Sequence, residues 1–422
     1  MLIFSHMKKN YYKGFIFLII FVFTLSCNSK KDNGEKFHSL LKDSIFNIYL
    51  DSSSLSKSYS LSLIADKIDY IPIETVSESL ISNGVWVYYT DSIIFIKDRG
   101  RVLRFNNKGI YLSDLFRVGQ GPSECFASCS VLDVINERIF IYNNFNNKID
   151  IYNYLGQQIK SFKDPAESYW SSEICVYKDY FILNNNLLFP SFFSVYKLSD
   201  FNTLIYTHNN KYQKTLDNKI GGANGHSVSF QNIDNKRFYF KEQFCDTLFY
   251  TTDFSTFSPQ FIFHWGKINK FDFDTNVKML TREIKDIHIE DGKYRILNWM
   301  EANNYLLFNL YTTTNMCSEV YLGIYDKNNR TLIISKENKL INDIDGGVDF
   351  IPLNPVTNNN LYKNQIFSLV WPHEIKDALA KNKAFISLQQ KKQLNEIAKH
   401  IADDDNPLLM IVTLKNNDNK TN

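Results

Sequence analysis

The chain has 422 residues, enough for two or three average domains or for one large β-rich domain. Its 47 basic and 45 acidic residues leave a formal net charge of +2, which excludes the basic surface that nucleic-acid binding requires. The 34 phenylalanines and 25 tyrosines favour the half-buried surfaces of β-sheets, so the composition predicts an all-β protein.

The N-terminus has the pattern of a secretory signal peptide. Lys8, Lys9 and Lys13 form a positively charged segment, and an apolar stretch follows over residues 14–25. That stretch is too short for a membrane-spanning helix, so the sequence predicts a signal peptide over residues 1–26. Met7 is the alternative start of the protein, since two lysines follow it directly.

Cys27 follows the predicted signal peptide directly. With Ser26 before it, the site resembles a bacterial lipobox, whose cysteine receives a lipid and becomes the first residue of the mature protein. We therefore predict that lipid on Cys27 holds the protein to a membrane. The alternative is a plain buried cysteine in an uncleaved anchor. The polar residues after Cys27 predict a flexible tether, which we expect to cover residues 27–60.

Two similar segments predict the fold. One is DSIIFIKDRGRVLRFNNKGIYLSDL from Asp91, and the other is NERIFIYNNFNNKIDIYNYLGQQIKSF from Asn136. Each contains short apolar strands and a turn glycine, and these glycines, Gly109 and Gly156, are 47 residues apart. A spacing of roughly 40–50 residues is typical of one four-stranded blade of a β-propeller.

Weaker copies of the same pattern continue towards the C-terminus. They begin near Lys178, Lys236 and Asn303, and a last unit combines strands that begin at Gln365 and Pro407. The repeats predict one all-β domain over residues 61–416, a six-bladed β-propeller, with seven blades as the alternative. Residues 417–422 are predicted to be a disordered tail.

The two ends of the predicted domain are expected to meet in one blade. Strand candidates lie at residues 64–75 and at residues 407–415. If these two segments share the last blade, the ring closes and no sheet edge stays open.

One segment breaks the strand pattern. Residues 374–402 are rich in Lys, Ala, Gln and Glu, and the apolar residues Leu394, Ile397, Ala398 and Ile401 recur at helical spacing. We predict a helical insertion in the last blade, ended before Pro407, with its apolar stripe packed on the propeller. A partner helix is the alternative occupant of that stripe.

The stretch FRVGQGPSEC, residues 116–125, raises the alternative of a nucleotide site. A phosphate loop needs several converging N–H groups, and Pro122 removes one of them. No Gly-Lys-Ser/Thr follows, and Gly119 and Gly121 lack the third glycine of a dinucleotide fingerprint. Glycine with proline is turn chemistry, so we predict a structural turn between the first two blades and no nucleotide.

The same stretch carries a family resemblance. VGQGPSE, with VLRFNNKG before it and VLDVINERIFIYN after it, resembles a Gly-x-Gly-Pro-Gly-Glu-Tyr loop of the six-bladed β-propeller lipoproteins of the Bacteroidetes. Ser123 replaces a glycine of that loop and Cys125 an aromatic residue. The positions that match are Gly119, Gly121, Pro122 and Glu124. The resemblance extends to IDYIPIET, CDTLFY, NDIDGG and DDDNPLLMIVTLK, so it covers nearly the whole mature chain. It implies an NHL-like propeller on a surface or periplasmic lipoprotein, and it brings no catalytic residues.

The sequence lacks the common catalytic and metal-binding motifs. Gly-x-Ser-x-Gly, His-Glu-x-x-His and the Asp-box of sialidases are all missing. Asp343, Asp345 and Asp349 share one glycine-containing loop, which makes them a weak calcium candidate against the alternative of an Asp-rich turn. We predict no cofactor.

The remaining cysteines do not predict a disulfide framework. If Cys27 carries lipid, an odd number is left at irregular spacing: Cys125, Cys129, Cys175, Cys245 and Cys317. We expect small core residues on strands, with their disulfide status left open. A glycine-rich loop at residues 221–226 is a candidate for the rim of a ligand face.

These observations favour a non-catalytic binding or scaffolding propeller at the cell envelope. We expect a lipid anchor at the outer membrane, on its periplasmic or outer surface. We expect the protein to serve nutrient uptake and to bind a glycan, a peptide or an envelope protein. The alternative is a hydrolase that acts on glycans or peptides through two facing carboxylates at the central face of the propeller.

Overall fold

Short antiparallel strands form most of the chain that the structure describes. The structure is a computed structural model, and it describes these residues: 45–51, 55, 57–82, 85–121, 124–143, 145–165, 173–185, 190–212, 228–233, 235–275, 291–314, 317–353 and 361–415. The predicted signal peptide, Cys27 and the predicted tail at 417–422 lie outside these residues.

The strands of the first half are, in chain order, β1 (Phe46–Tyr49), β2 (Ala65–Pro72), β3 (Trp86–Tyr89), β4 (Ile93–Asp98), β5 (Arg101–Asn106), β6 (Tyr111–Asp114), β7 (Arg117–Val118), β8 (Glu124–Cys125), β9 (Ala127–Asp133), β10 (Arg138–Asn143), β11 (Lys148–Asn153), β12 (Gln158–Lys163), β13 (Glu173–Tyr177), β14 (Tyr180–Asn184), β15 (Ser191–Lys197) and β16 (Leu204–Asn209).

The second half contains β17 (Val228–Ile233), β18 (Arg237–Glu242), β19 (Thr247–Thr251), β20 (Ser258–His264), β21 (Arg295–Ala302), β22 (Tyr305–Thr314), β23 (Cys317–Asp326), β24 (Thr331–Ser335), β25 (Leu361–Tyr362), β26 (Gln365–Val370) and β27 (Leu408–Leu414). Two helices, α1 (Pro372–Ala380) and α2 (Leu388–His400), separate β26 from β27, and a short 3-10 turn (Leu61–Leu63) precedes β2.

The strands form a six-bladed β-propeller, as the repeats predict. The blades have the strand orders β3-β4-β5-β6, β9-β10-β11-β12, β13-β14-β15-β16, β17-β18-β19-β20-β1, β21-β22-β23-β24 and β25-β26-β27-β2, here numbered blades 1 to 6. The first strands of neighbouring blades approach one another around the ring, for example β9 with β13 and β17 with β21. All five residues of the inner strand β13 are buried, whereas five of the six residues of the outer strand β12 are exposed.

Blade 6 closes the ring with both ends of the domain. Strand β2 pairs with β27 in antiparallel register, with Ile68 opposite Val412 and Pro72 opposite Leu408. Strand β26 pairs with the other side of β27. The closure prediction is confirmed, and the ends of the domain form a single sheet.

The propeller begins earlier in the chain than its predicted start at residue 61. Strand β1 pairs in parallel with β20 and becomes the fifth, outermost strand of blade 4. Ile48 of β1 is fully buried, and Phe46 stacks on Phe261 with their ring centroids 5.2 Å apart. The tether predicted over residues 27–60 is therefore wrong for residues 46–49, because alternate apolar side chains bind this segment to a sheet edge.

The helical insertion is confirmed inside the last blade. Ile375 of α1 and Leu394 of α2 are buried in the same apolar cluster as Ile68 of β2. The Gln390 side chain of α2 also accepts a hydrogen bond of 2.8 Å from the backbone N–H of Ile68. The helices therefore pack on the propeller and cover part of the outer edge of blade 6, which an uncovered strand would leave open to pairing.

Side-chain amides join neighbouring blades near the centre of the ring. The Gln231 amide accepts from the Glu301 N–H at 2.7 Å and donates to the Glu301 carbonyl at 3.0 Å, which links blade 4 to blade 5. Asn184 of blade 3 donates to the Val228 carbonyl of blade 4 at 2.8 Å. These bonds satisfy buried backbone groups on strands that lack a pairing partner on that side.

Candidate functional site

The connections on the two sides of the ring differ in length. Within a blade, the turns at 90–92, 107–110 and 178–179 are short. The blade-to-blade connections cover 73–85, 115–126, 164–172, 210–227, 265–294 and 336–360. Because successive strands of a blade are antiparallel, these connections and the α1–α2 insertion leave from the same side, here called the loop side. Long connections on a rigid scaffold are common places for binding residues.

Buried polar side chains end the second strand of blades 1 to 4, on the loop side. They are Asp98, Asn143, Asn184 and Glu242, and each is less than a tenth exposed. Asp98 accepts from the Ser82 N–H at 3.1 Å, and Asn143 donates to the Glu124 carbonyl at 3.3 Å. These side chains tie the incoming connection to the blade, which places the loops firmly.

The family loop forms a closed turn around a carboxylate. Strands β7 and β8 pair in parallel, and the Gly121 N–H donates to Oε2 of Glu124 at 2.9 Å. A Cβ on Gly119 would lie 2.0 Å from that oxygen, and a Cβ on Gly121 would lie 3.1 Å from it. Glycine is needed here because the glutamate carboxylate occupies the space of a side chain. Pro122, the fourth residue of the predicted motif, lies outside the described residues.

A polar cleft of about 320 Å³ lies beside this turn. It is here called the blade 2 cleft, and its lining includes Glu124, Asn143, Lys148, Asp150, Tyr152 and Gln158. Lys148, Asp150 and Tyr152 alternate along β11, so their side chains share one face of the sheet. Tyr152 packs against Phe116 on that face, which turns towards blade 1.

Asp150 forms the floor of the blade 2 cleft and is only 5% exposed. Its two carboxylate oxygens accept from Gln158 Nε2 at 3.0 Å and from Asn143 Nδ2 at 3.2 Å. Burial and the nearby Asp150 carboxylate raise the pKa of the Cys125 thiol. This thiol therefore stays protonated, and amide donors orient a buried carboxylate towards the cleft.

A second polar cluster joins the loop-side ends of blades 3 and 4. His208 Nδ1 lies 3.0 Å from the Tyr206 hydroxyl, and His208 Nε2 lies 2.9 Å from Oε1 of Glu242. Lys211 forms an ion pair with the other oxygen of Glu242 at 2.7 Å. Although burial acts to raise the pKa of Glu242, the hydrogen bonds from His208 and Lys211 hold it below its usual value. The cluster is an internally paired network.

Lys241 is a buried cation next to this cluster. Its ammonium donates to the Glu242 carbonyl at 3.1 Å, and burial lowers the pKa of Lys241 to about 8. A pKa this close to neutral pH means that the ammonium is only narrowly favoured over the neutral amine. Burying such a charge costs free energy, and a side chain that only fills the core would not need it.

The aspartates of the calcium candidate contact different partners. Asp343 accepts from Ser62 at 2.6 and 2.9 Å, whereas the buried Asp345 accepts from the Tyr70 hydroxyl at 3.0 Å. Burial raises the pKa of Asp345. Asp349 accepts from the Lys383 ammonium at 2.6 Å.

These contacts support the Asp-rich turn and give the calcium alternative no support. An ammonium at Asp349 competes with a metal ion for the same oxygens, and calcium needs six or more oxygens around one point. Within the described ranges, no group of three or more His, Cys, Asp or Glu side chains is arranged to hold a metal ion.

A larger and more apolar cleft of about 510 Å³ lies between α2 and the end of β2. Ile73, Ile397 and Leu408 contribute apolar walls, and Glu74 and Asp405 contribute carboxylates. Glu74 already accepts from the Tyr111 N–H at 2.7 Å, and Asp405 accepts from the Ala402 N–H at 2.8 Å. Glu74 therefore holds the backbone of the seam, which is the contact between blades 6 and 1, whereas Asp405 closes a turn before β27.

The five cysteines beyond Cys27 are free thiols in the structure. Cys125, Cys129 and Cys175 are buried strand residues, while Cys245 is half-buried and Cys317 is exposed. The expected role of small core residues therefore fits three of the five.

Other predicted features lie outside the described residues. They include the lipid attachment residue Cys27, the apolar stretch at 14–25 and the glycine-rich loop at 221–226. Among the helices that the structure describes, none combines the length and the apolar character that crossing a membrane would take.

Residues 43–413 match the family described as domain of unknown function DUF4934. The chain belongs to this family. The match starts just before β1 and ends in β27, so the DUF4934 region comprises the whole described propeller. No curated protein matches the chain.

Two solved structures are similar to this DUF4934 chain. A protein of Bacteroides fragilis that is described as exported shares 15% of its residues, with a TM-score of 0.65, over 88% of this chain and 100% of that one. A member of the DUF4221 family from Bacteroides vulgatus has 11% sequence identity and a TM-score of 0.49, and the match covers 83% of this chain and 97% of that one. The first similarity supports the fold.

Sequence reasoning did not identify Asp150, Lys148 or Tyr152 as site residues. They sit in the strand KIDIYN, where alternation of polar and apolar residues is what any half-buried strand shows. Only the neighbouring family loop could have drawn attention to this region of the DUF4934 fold, through Glu124.

Proposed function

We propose that this DUF4934 protein is a non-catalytic binding or scaffolding module, held at the cell envelope by lipid on Cys27. The outer membrane is its proposed location, with the propeller on the periplasmic or outer surface. It serves uptake of a nutrient, and its partners are a glycan, a peptide or an envelope protein.

The observation that carries this proposal is the pairing of the loop-side carboxylates. Asp98, Glu242, Asp345 and Asp349 each accept hydrogen bonds from the protein itself. A glycosidase needs one carboxyl poised as an acid and a second one free to attack or to activate water. Side chains that hold loops in place suit a fixed binding surface better than the hydrolase alternative.

Envelope location has two supports. The N-terminal sequence combines lysines, an apolar stretch and Cys27 in the order of a lipoprotein signal. The Bacteroides fragilis protein with the same fold is described as exported.

Binding is tested with the chain from Asn28 to Asn422, which keeps every residue that the structure describes. We expect saturable binding to members of a glycan and peptide array without any change in the bound molecules. Cleaved products in mass spectra of the eluted ligands would favour the hydrolase instead.

Anchoring is tested separately by Cys27→Ala in the full chain. We expect loss of the lipid-dependent mass increase and a shift out of the membrane fraction. Unchanged membrane association of the variant would refute the anchor without affecting the binding result.

A further inference from the structure

The blade 2 cleft presents both hydrogen-bond acceptors and donors within one small space. Asp150 and Glu124 supply carboxylate oxygens. Lys148 supplies an exposed ammonium, for which the described residues provide no ion pair or hydrogen-bond partner. A cavity of about 320 Å³ is near the lower end of the range for small-molecule sites, which is roughly 300–1,000 Å³.

The Tyr152 hydroxyl is the second, independent feature that points to a ligand. The residue is only 5% exposed, and its ring packs on Phe116 with 5.7 Å between centroids. Tyr152 lines the cleft, and its hydroxyl makes no hydrogen bond to any other described residue. Burial raises the pKa of Tyr152, so the hydroxyl keeps its proton at neutral pH. No described protein group bonds to this hydroxyl, so it is available to a bound molecule.

The charges of the cleft limit what that molecule can be. Two carboxylates, on Glu124 and Asp150, disfavour an anion, while the ammonium of Lys148 disfavours a cation. The ammonium of Lys160 lies on the other face of the sheet, over the Phe162 ring. The balance suits a neutral molecule that both donates and accepts hydrogen bonds. Two neighbouring hydroxyls of a sugar are neutral, and each can both donate and accept a hydrogen bond. Their separation is similar to that of the neighbouring side chains that line the cleft.

A peptide fits this lining less well. Peptide ligands bind extended edges and place side chains in pockets, and they gain most of their affinity from apolar anchors. In the described lining only Ile159 and the ring of Tyr152 are apolar.

We propose that the blade 2 cleft is a saccharide-binding site, in which Asp150 and Glu124 accept hydrogen bonds from ligand hydroxyls and Lys148 and Tyr152 donate to ligand oxygens. Asn143 and Gln158 are positioning residues, because their amides fix the two oxygens of Asp150. The proposal rests on the proposed binding function and specifies its ligand class and its site.

The closed turn explains how the site is kept in shape. Glu124 is held by the Gly121 N–H and lies 3.4 Å from Nε of Arg117. The carboxylate of Glu124 is therefore already oriented before a ligand binds, which lowers the cost of ordering on binding. The glycines of the family loop thus serve the cleft as well as the turn.

The test uses the chain from Asn28 to Asn422 and two variants that remove ligand contacts only. Tyr152→Phe deletes the unpartnered hydroxyl, and Lys148→Gln deletes the exposed ammonium. The matched controls are Tyr49→Phe, on the edge strand of blade 4, and Lys108→Gln, in a turn of blade 1. Each protein is titrated by calorimetry with the strongest saccharide of the glycan array.

We expect Tyr152→Phe to weaken saccharide binding by roughly fivefold to tenfold and Lys148→Gln by about tenfold or more. Both controls should bind as the parent does, and all four variants should melt at the parent temperature. Because Tyr152→Phe keeps the buried ring, a fold defect is not expected to hide the result.

Three outcomes would overturn the proposal in distinguishable ways. Saccharide binding that neither variant weakens would place the site elsewhere and leave the proposed binding function intact. Binding of peptides alone would remove the saccharide but retain a binding module. An array without any bound ligand would overturn the site and the proposed binding function together.

Discussion

Blade 2 and blade 6 have the same four-stranded antiparallel order, but they draw on the chain in different ways. Blade 2 is one continuous stretch from Ala127 to Lys163. Blade 6 takes β2 from the start of the domain and β25, β26 and β27 from its end, with two helices inserted between β26 and β27.

The difference shows where the ring depends on contacts that are distant in sequence. The outer strand of blade 2 forms a hairpin with the strand before it, and five of its six residues are exposed. The outer strand of blade 6 and the connection after it are held by residues more than 300 positions away, since Gln390 bonds to Ile68 and Asn406 bonds to Thr75. Damage to blade 2 should therefore stay local, whereas damage to blade 6 should reach the whole ring.

The largest effect is expected from removing residues 406–422, which deletes β27. Strand β2 then loses its partner, and β26 becomes an uncovered apolar edge that invites aggregation. We expect an insoluble or molten protein, measured by solubility, near-ultraviolet circular dichroism and calorimetry.

The control is deletion of residues 28–36, which lie outside the matched family region. It should leave the melting temperature unchanged. A soluble C-terminal truncation with one cooperative, near-native transition would contradict the dependence of the ring on blade 6.

The two repeat glycines allow a matched comparison of seam and blade. Gly109 has φ +82° and a Cβ there would lie 2.0 Å from the Pro72 carbonyl oxygen of blade 6. Gly156 has φ +85°, but its Cβ would meet the end of the Arg104 side chain at 2.5 Å. A guanidinium can move aside, and a backbone oxygen in a sheet cannot.

We expect Gly109→Ala to lower the free energy of unfolding by about 3–5 kcal/mol and Gly156→Ala by about 1–2 kcal/mol. Urea unfolding of both variants measures the difference. Equal losses would show that the positive φ alone sets the cost and that the seam has no special rigidity.

Two buried asparagines extend the comparison to hydrogen bonds. Asn406 donates to the carbonyls of Glu74 and Ser79 at 2.8 and 2.9 Å and accepts from the Ile81 N–H at 3.0 Å. Asn143 in blade 2 makes longer bonds of 3.2–3.4 Å.

Asn406→Ala leaves several buried backbone groups without partners, so a loss of about 2–4 kcal/mol is expected, against about 1 kcal/mol for Asn143→Ala. Chemical denaturation of the two variants in parallel decides the order. A larger loss for Asn143→Ala would reverse the ranking of seam and blade.

The same contrast explains what the sequence could predict. The blade 2 repeat is visible because its strands and its turn glycine are consecutive, whereas blade 6 had to be inferred from two unpaired ends. Residues 46–49 were missed because a four-residue strand gains its stability from the edge of blade 4, which no local pattern reveals. Asp150 and Tyr152 were missed for a related reason: their role depends on the distant turn at Gly121 and Glu124 that closes the cleft.

The smallest effect is expected from removing one methylene from an isoleucine on the outer strand of each of the two blades. Ile68 of β2 is 3% exposed, because α2 covers it, whereas Ile159 of β12 is 53% exposed. Removing a buried methylene costs about 0.5–1.5 kcal/mol, and removing an exposed one costs almost nothing. We therefore expect Ile68→Val to lower the free energy of unfolding by about 1 kcal/mol and Ile159→Val to leave it unchanged. Thermal and urea unfolding can resolve that gap. If both variants unfold like the parent, the helices do not seal the outer strand of blade 6, and the rigidity of the seam must come from strand pairing alone.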